Sequence, residues 1–175
     1  FNTEFLWKVT PFLYILGLGL MVLPIVFYNP SLVASTGAKN WVSINGITLF
    51  QPSEFMKISY ILMLARVIVQ FTKKHKEWRR TVPLDFLLIF WMIVFTIPVL
   101  VLLALQSDLG TALVFVAIFS GIVLLSGVSW KIIIPVFVTA VTGIAGFLAI
   151  FISKDGRAFL HQLGMPTYQI NRILA

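Results

Sequence analysis

Gln51-Pro52-Ser53-Glu54-Phe55-Met56-Lys57 leads into an apolar run from Ile58 to Val69, and the two charges at the mouth of that run decide the fold. The run is too apolar for a surface helix of a soluble protein, so the pair belongs at or inside the edge of a bilayer. Residues at i and i+3 share a helix face, which lets Glu54 and Lys57 satisfy each other while both look toward the same neighbour. Pro52 suits the first helical position, where its missing N–H costs nothing. Glu54 then falls in the first turn, where the helix dipole favours an anion. Lys57 is different. A cation one turn in from a helix N-terminus opposes the dipole and approaches hydrocarbon, which costs roughly 2.5–3.5 kcal/mol at the bilayer centre. It needs a partner.

Composition agrees with a membrane setting. Of the 175 residues, 59% are hydrophobic and 11% charged, and mean hydropathy is +1.01; soluble domains carry about a quarter charged residues. The fold class is all-α, a polytopic transmembrane helix bundle. The formal net charge of +7 does not indicate nucleic acid, because a phosphate-binding patch needs a soluble face and only one dense basic run exists. There is no cysteine, so neither a disulfide framework nor a cysteine-based metal or nucleophile site is available. The chain starts at Phe1 without Met and stops at Ala175 in mid-pattern, and it reads as an internal piece of a longer protein with no cleavable signal peptide.

Five spans follow from the apolar stretches, at about 9–28, 53–71, 84–105, 112–125 and 132–152, after a short polar lead from Asn2 to Lys8. The stretch 29–52 reads as one aqueous loop with turn signals at Asn29-Pro30, Gly37 and Asn45-Gly46. Within it, Trp41 and the alternating Val42, Ile44 and Ile47 fit a short interfacial hairpin. The run 73–80 holds five basic residues in eight, which the positive-inside rule assigns to the cytoplasm. Loops 29–52 and 153–175 are then outside, with the N-terminus of the chain inside and its C-terminus outside. Asp85 marks the inner end of the third span. The Gln106 to Thr111 connection is too short for anything but a tight helical hairpin, and the short fourth span borrows residues from it.

This topology puts Glu54, Lys57 and Asp108 at one membrane level. A Lys57–Asp108 contact with Glu54 alongside would supply the partner that the cation needs, since an intramembrane charge pairs across helices. Each acid also has a plainer reading: Glu54 as a first-turn anion, and Asp108, after Ser107 and before an apolar run, as a helix cap. Trp41 fits either an interfacial anchor or a substrate contact. Arg66 reads as a snorkelling residue near the inner face. His75 and His161 have no metal-ligand spacing to any other candidate, so no metal site is assigned. The P-loop, GxSxG and HExxH signatures are missing.

Three stretches, Gly37-Ala38-Lys39-Asn40-Trp41, Phe50-Gln51-Pro52-Ser53-Glu54-Phe55-Met56-Lys57 and Gln106-Ser107-Asp108-Leu109-Gly110-Thr111-Ala112, resemble in order and separation the RodA/FtsW family of shape, elongation, division and sporulation proteins. The elongation branch is the nearer resemblance, and it covers essentially the whole chain. One departure is Ser107, where the family usually shows Pro before the Asp; this loosens the expected turn and keeps the acid.

The resemblance implies a usually ten-helix peptidoglycan glycosyltransferase that polymerises lipid II at the outer face of the bacterial cytoplasmic membrane, for cell-wall elongation and cell shape. Its implied partners are lipid II, a class B penicillin-binding protein that cross-links the product, and other membrane proteins of the elongation complex. A carboxylate base would deprotonate the attacking sugar hydroxyl, and cationic groups or a divalent cation would stabilise the departing pyrophosphate. The acid that the family uses as base lies downstream of the matched region, so no catalytic residue is expected within this chain and the piece alone is expected to be inactive. Glu54, Lys57 and Asp108 match positions of an intramembrane charge network lining the substrate cavity. Trp41 matches a position in the outer loop, in contact with substrate or partner. Two other classes compete: a lipid II flippase or transporter, and a non-catalytic membrane scaffold of the elongation machinery.

Overall fold

A computed structural model describes residues 3–44, 47–75 and 82–135, together with Val138 and Thr142. The chain divides into two compact units, Phe1–Ser129 and Trp130–Ala175. In the second unit the described residues, 130–135, Val138 and Thr142, are helical. The rest of the expected fifth span, the outer loop 153–175 and residues 76–80 of the basic run lie outside the described residues.

The first unit holds helices α1 (Thr3–Val26), α2 (Pro30–Thr36), α3 (Pro52–Lys74), α4 (Val82–Leu105) and α5 (Leu109–Leu125). Strands β1 (Val42–Ile44) and β2 (Ile47–Phe50) lie between α2 and α3. Helices α1, α3 and α4 are long and apolar enough to cross a membrane. At 1.5 Å per residue, their 24, 23 and 24 residues reach about 35 Å, against about 30 Å of hydrocarbon. With 17 residues α5 is shorter, and it does borrow Leu109, Gly110 and Thr111 from the connecting turn. The result is an all-α membrane helix bundle carrying one small hairpin.

The polar lead, Asn2 to Lys8, joins the first helix from Thr3, because nothing in Thr3 to Lys8 breaks a helix and Glu4 sits favourably in the first turn. One sequence expectation changes. The stretch 29–52 contains a seven-residue helix. Asn29, read as a turn, is the N-cap of α2: its Oδ1 accepts from Ser31 N at 3.0 Å and Ser31 Oγ at 2.7 Å, and Pro30 takes the first turn. Gly37, at φ 72°, closes the helix by donating its N–H to Val33 O at 2.7 Å.

Packing of α1 on α3 depends on Gly17. A Cβ there would lie 2.6 Å from Met56 Sδ and 3.0 Å from Ser59 Oγ, so at this approach an added methyl would force the Met56 side chain to move. Polar ties then fix the bundle where apolar packing against lipid gives no registration. Tyr14 Oη donates to Phe95 O of α4 at 2.5 Å, one turn before Pro98, whose missing N–H already loosens that part of the helix. Tyr60 Oη pairs with Thr96 Oγ1 at 2.8 Å, and the fully buried Tyr60 ring meets Phe115 of α5 edge-on at 5.2 Å. At the far end of α4, the fully buried Asp85 accepts from Ser129 N at 3.0 Å, holding the chain after α5. On α3, with the Gln70 amide oriented oxygen-first, Arg66 Nε and Nη2 donate to it at 3.0 and 3.1 Å.

Candidate functional site

One end of the first unit gathers the candidate residues. The C-termini of α1 and α4 and the N-termini of α3 and α5 meet there, stitched by the segment between α1 and α3. Ser43 N donates to Phe27 O at 3.0 Å, Lys39 N donates to Gln106 O at 2.8 Å, and buried Gln106 returns its Nε2 to Met21 O of α1 at 2.6 Å.

The α4–α5 turn is built by Gln106, Ser107 and Asp108. Ser107 N bonds Ala104 O and Asp108 N bonds Leu103 O, both at 3.0 Å, and Ser107 adopts φ 57°. That is a Schellman closure with serine in the left-handed position that glycine normally takes. The turn is therefore not loosened by Ser107, as the sequence suggested; it is tightly closed, in a backbone conformation that a proline at this position cannot adopt. Asp108 then caps the next helix. Its Oδ1 accepts from Thr111 N at 3.1 Å, and its Oδ2 accepts from Thr111 Oγ1 and from Asn40 Nδ2, each at 2.7 Å.

The expected Lys57–Asp108 contact is not formed. Lys57 Nζ sits 2.8 Å from Glu54 Oε2, and Asp108 spends its oxygens on Thr111 and Asn40. The reason is local geometry. Glu54 is one turn before Lys57 on the same helix face, so the pair closes without any tertiary requirement, whereas Asp108 is turned inward by its cap and is only 7% exposed. Glu54 is in the first turn as expected, but its carboxylate serves Lys57, and Gln51 precedes the helix without a side-chain cap. The pair is asymmetric: the Lys57 side chain is 26% exposed and that of Glu54 62%.

The tertiary partner of Asp108 is Asn40, which sequence reasoning passed over in favour of its neighbour. Trp41 is exposed. The signal for Asn40 was present: an amide one residue before an aromatic anchor, in a loop level with a buried acid. Asn40 Oδ1 is itself buried and without a hydrogen-bond partner. Nearby, Lys39 Nζ lies over the Tyr28 ring at 4.5 Å, which tethers the loop by a cation–π contact.

Chemically, this end offers a compensated cation, a buried capping carboxylate and a loop locked to it. Among the described residues no group of three His, Asp or Glu side chains is placed to hold a metal ion. An apolar hollow of about 170 Å³ between α4 and α5, lined by Ile93, Thr96, Ile97, Leu100, Val116 and Phe119, has no charged group and is separate from this end.

Comparison with known proteins matches the chain to a family. The model of the FTSW_RODA_SPOVE family, described as cell cycle protein, matches residues 1–175. A protein named probable peptidoglycan glycosyltransferase FtsW from Borreliella burgdorferi is 28% identical over 167 residues, covering 92% of this chain and 42% of that protein. The peptidoglycan glycosyltransferase MrdB of Escherichia coli K12 is 34% identical over 145 residues, 83% of this chain and 35% of that one. The chain thus spans less than half the length of these relatives. No solved structure matches it.

Proposed function

The chain belongs to the FTSW_RODA_SPOVE family of cell cycle proteins, and from that membership we propose that it is part of a peptidoglycan glycosyltransferase that polymerises lipid II at the outer face of the bacterial cytoplasmic membrane in cell-wall elongation. The observation that carries this reading is the bond from Asn40 to Asp108. It joins two of the three family-like stretches at the same end of the bundle where the third begins with Glu54 and Lys57. Relatives named as peptidoglycan glycosyltransferases support the reaction class.

In this proposal the basic residues that end α3, Lys73 and Lys74, face the cytoplasm, and the Glu54–Lys57–Asp108 end faces outward. The hydroxyl of one lipid II attacks the anomeric carbon of a glycan whose lipid pyrophosphate departs. The attacking oxygen gives its proton to a carboxylate base. This chain's own residues build the cavity. Lys57 faces the pyrophosphate with Glu54 as its resting counter-ion, and Asp108 fixes the loop over the site. A class B penicillin-binding protein cross-links the product.

The test uses the full-length protein and its transpeptidase partner in liposomes with labelled lipid II. Lys57→Ala should lower glycan polymerisation by about tenfold, the effect of losing about 1.4 kcal/mol of transition-state stabilisation, with assembly unchanged. Movement of lipid II across the bilayer without glycan lengthening would make the protein a transporter. Unchanged turnover per assembled complex in both Lys57→Ala and Asp108→Ala would make this end structural.

A further inference from the structure

We propose that the β1–β2 hairpin is a membrane-surface anchor whose apolar face rests in the lipid leaflet at its own end of the bundle. From Trp41 to Phe50 the sequence has no charged residue. The strands pair Val42 with Phe50, Ser43 with Thr48 and Ile44 with Ile47, with the register irregularity between Val42 and Ser43. The two strands differ in cover: β1 begins buried, whereas β2 is exposed along its whole length. Val42 and Ser43 are buried, Ser43 is bonded to Phe27 O, and its Oγ lies 3.3 Å from Thr48 Oγ1. Ile44, Ile47, Leu49 and Phe50 remain 50%, 67%, 54% and 41% exposed, a concentration of large apolar side chains that water disfavours.

Position decides what covers them. Phe50 stands two residues before α3 starts, and the hairpin is hydrogen-bonded to the residue just past the end of α1. Both helices span the membrane, so the hairpin is held at the level where they leave hydrocarbon. At the end of α1, Val26 and Phe27 are exposed as well, and Phe27 is the residue that Ser43 bonds. Depth follows from the backbone. A two-stranded sheet has two edges with unpaired N–H and C=O groups, which hydrocarbon cannot satisfy and headgroups and water can. Apolar side chains on an unpaired backbone are best served at the interface, side chains inward and edges among headgroups, with Trp41 in the depth range that tryptophan favours. A protein strand adding to β2 would satisfy the edge, but it would leave the charge-free side-chain face uncovered.

The stretch contains no cysteine, so an introduced thiol is a unique address within it. Nitroxide labels on Ile47→Cys and Leu49→Cys, in the full-length protein in vesicles of phosphatidylethanolamine and phosphatidylglycerol, would be power-saturated against oxygen and a water-soluble nickel chelate. Ser35→Cys on α2 and Val101→Cys on α4 serve as aqueous and lipid references. We expect the oxygen-to-nickel ratio at positions 47 and 49 to exceed that at 35 several-fold and to fall below that at 101. A ratio equal to that at 35 places the hairpin in water. Low collision with both reagents places it under protein, as a docked strand or another part of the chain would. Either result overturns the proposal.

Discussion

The bond between Asn40 and Asp108 can be measured by a double-mutant cycle, with Asn40→Ala, Asp108→Ala and the pair. Asp108 accepts three hydrogen bonds, from Thr111 N, Thr111 Oγ1 and Asn40 Nδ2. Removing a cap of this kind costs about 1 kcal/mol. Each hydrogen bond to a charged acceptor contributes about 1.5–3 kcal/mol, and the Thr111 hydroxyl, half-buried, falls at the low end. Asp108→Ala should therefore destabilise the protein by about 4–5.5 kcal/mol, and Asn40→Ala by about 1.5–3 kcal/mol. Once Asp108 is gone, Asn40 Nδ2 has lost the acceptor it uses among the described residues, so truncating it should cost little more. The coupling energy should accordingly be about 1.5–3 kcal/mol, read by steric trapping of the full-length protein in bicelles. A coupling below about 0.5 kcal/mol, the ordinary scatter of independent sites, would mean that the loop is not held by this acid and that the candidate site is assembled another way.

Two further perturbations probe the frame around the site. Gly17→Ala should lose up to about 2 kcal/mol, because overpacking against Met56 and Ser59 at about 1–3 kcal/mol outweighs a helix-propensity gain of about 1. Gly19→Ala, with nothing within 4 Å of its added methyl, should gain up to about 1 kcal/mol, and equal effects at both positions would refute the close α1–α3 approach. At the α4–α5 turn, Ser107→Gly should stabilise by about 1 kcal/mol by relieving the left-handed backbone. Ser107→Pro should destabilise by about 3 kcal/mol, since it forbids φ 57° and removes the N–H that bonds Ala104 O; a thermal shift of the opposite order would show that the turn is built differently.

Local signals carried most of the fold. Length and apolarity locate α1, α3 and α4 because a membrane helix must satisfy its backbone within itself, and this leaves a long, uninterrupted record in the sequence. The i,i+3 spacing foretold the Glu54–Lys57 pair for the same reason: both partners lie on one turn. The hairpin was legible from alternation across Asn45-Gly46. Three features escaped. The helix α2 hid behind Asn29-Pro30 and Gly37, which signal a turn or a short capped helix equally well until the seven residues between them are seen to be wound. The Schellman turn at Ser107 was invisible because its residue type is wrong for a left-handed position; only the short connection forces that backbone. The partner of Asp108 was misassigned to Lys57, because charge complementarity is a stronger long-range cue than the one Asn40 gives, an amide beside an aromatic anchor in a loop level with the acid.

That misassignment bears on what the acid can do. A carboxylate that takes a proton from an incoming hydroxyl needs a lone pair aimed at open space. Asp108 directs Oδ1 at the helix N–H it caps and Oδ2 at two donors, and it is 7% exposed. It is built to hold the α4–α5 turn and the Asn40 loop together. Lys57 is the reverse case: its counter-ion among the described residues, Glu54, is mostly exposed and lies on the same helix, so exchanging Glu54 for an incoming anion breaks no ion pair between helices. Charge at this end is thus divided between a fixed anion that sets geometry and a cation whose partner can be exchanged. If so, Asp108→Asn should harm stability and catalysis together, whereas Lys57→Ala should harm catalysis with assembly intact. A polymerisation assay run beside the stability measurement on the same full-length variants separates the two, and parallel losses in both variants would remove the distinction.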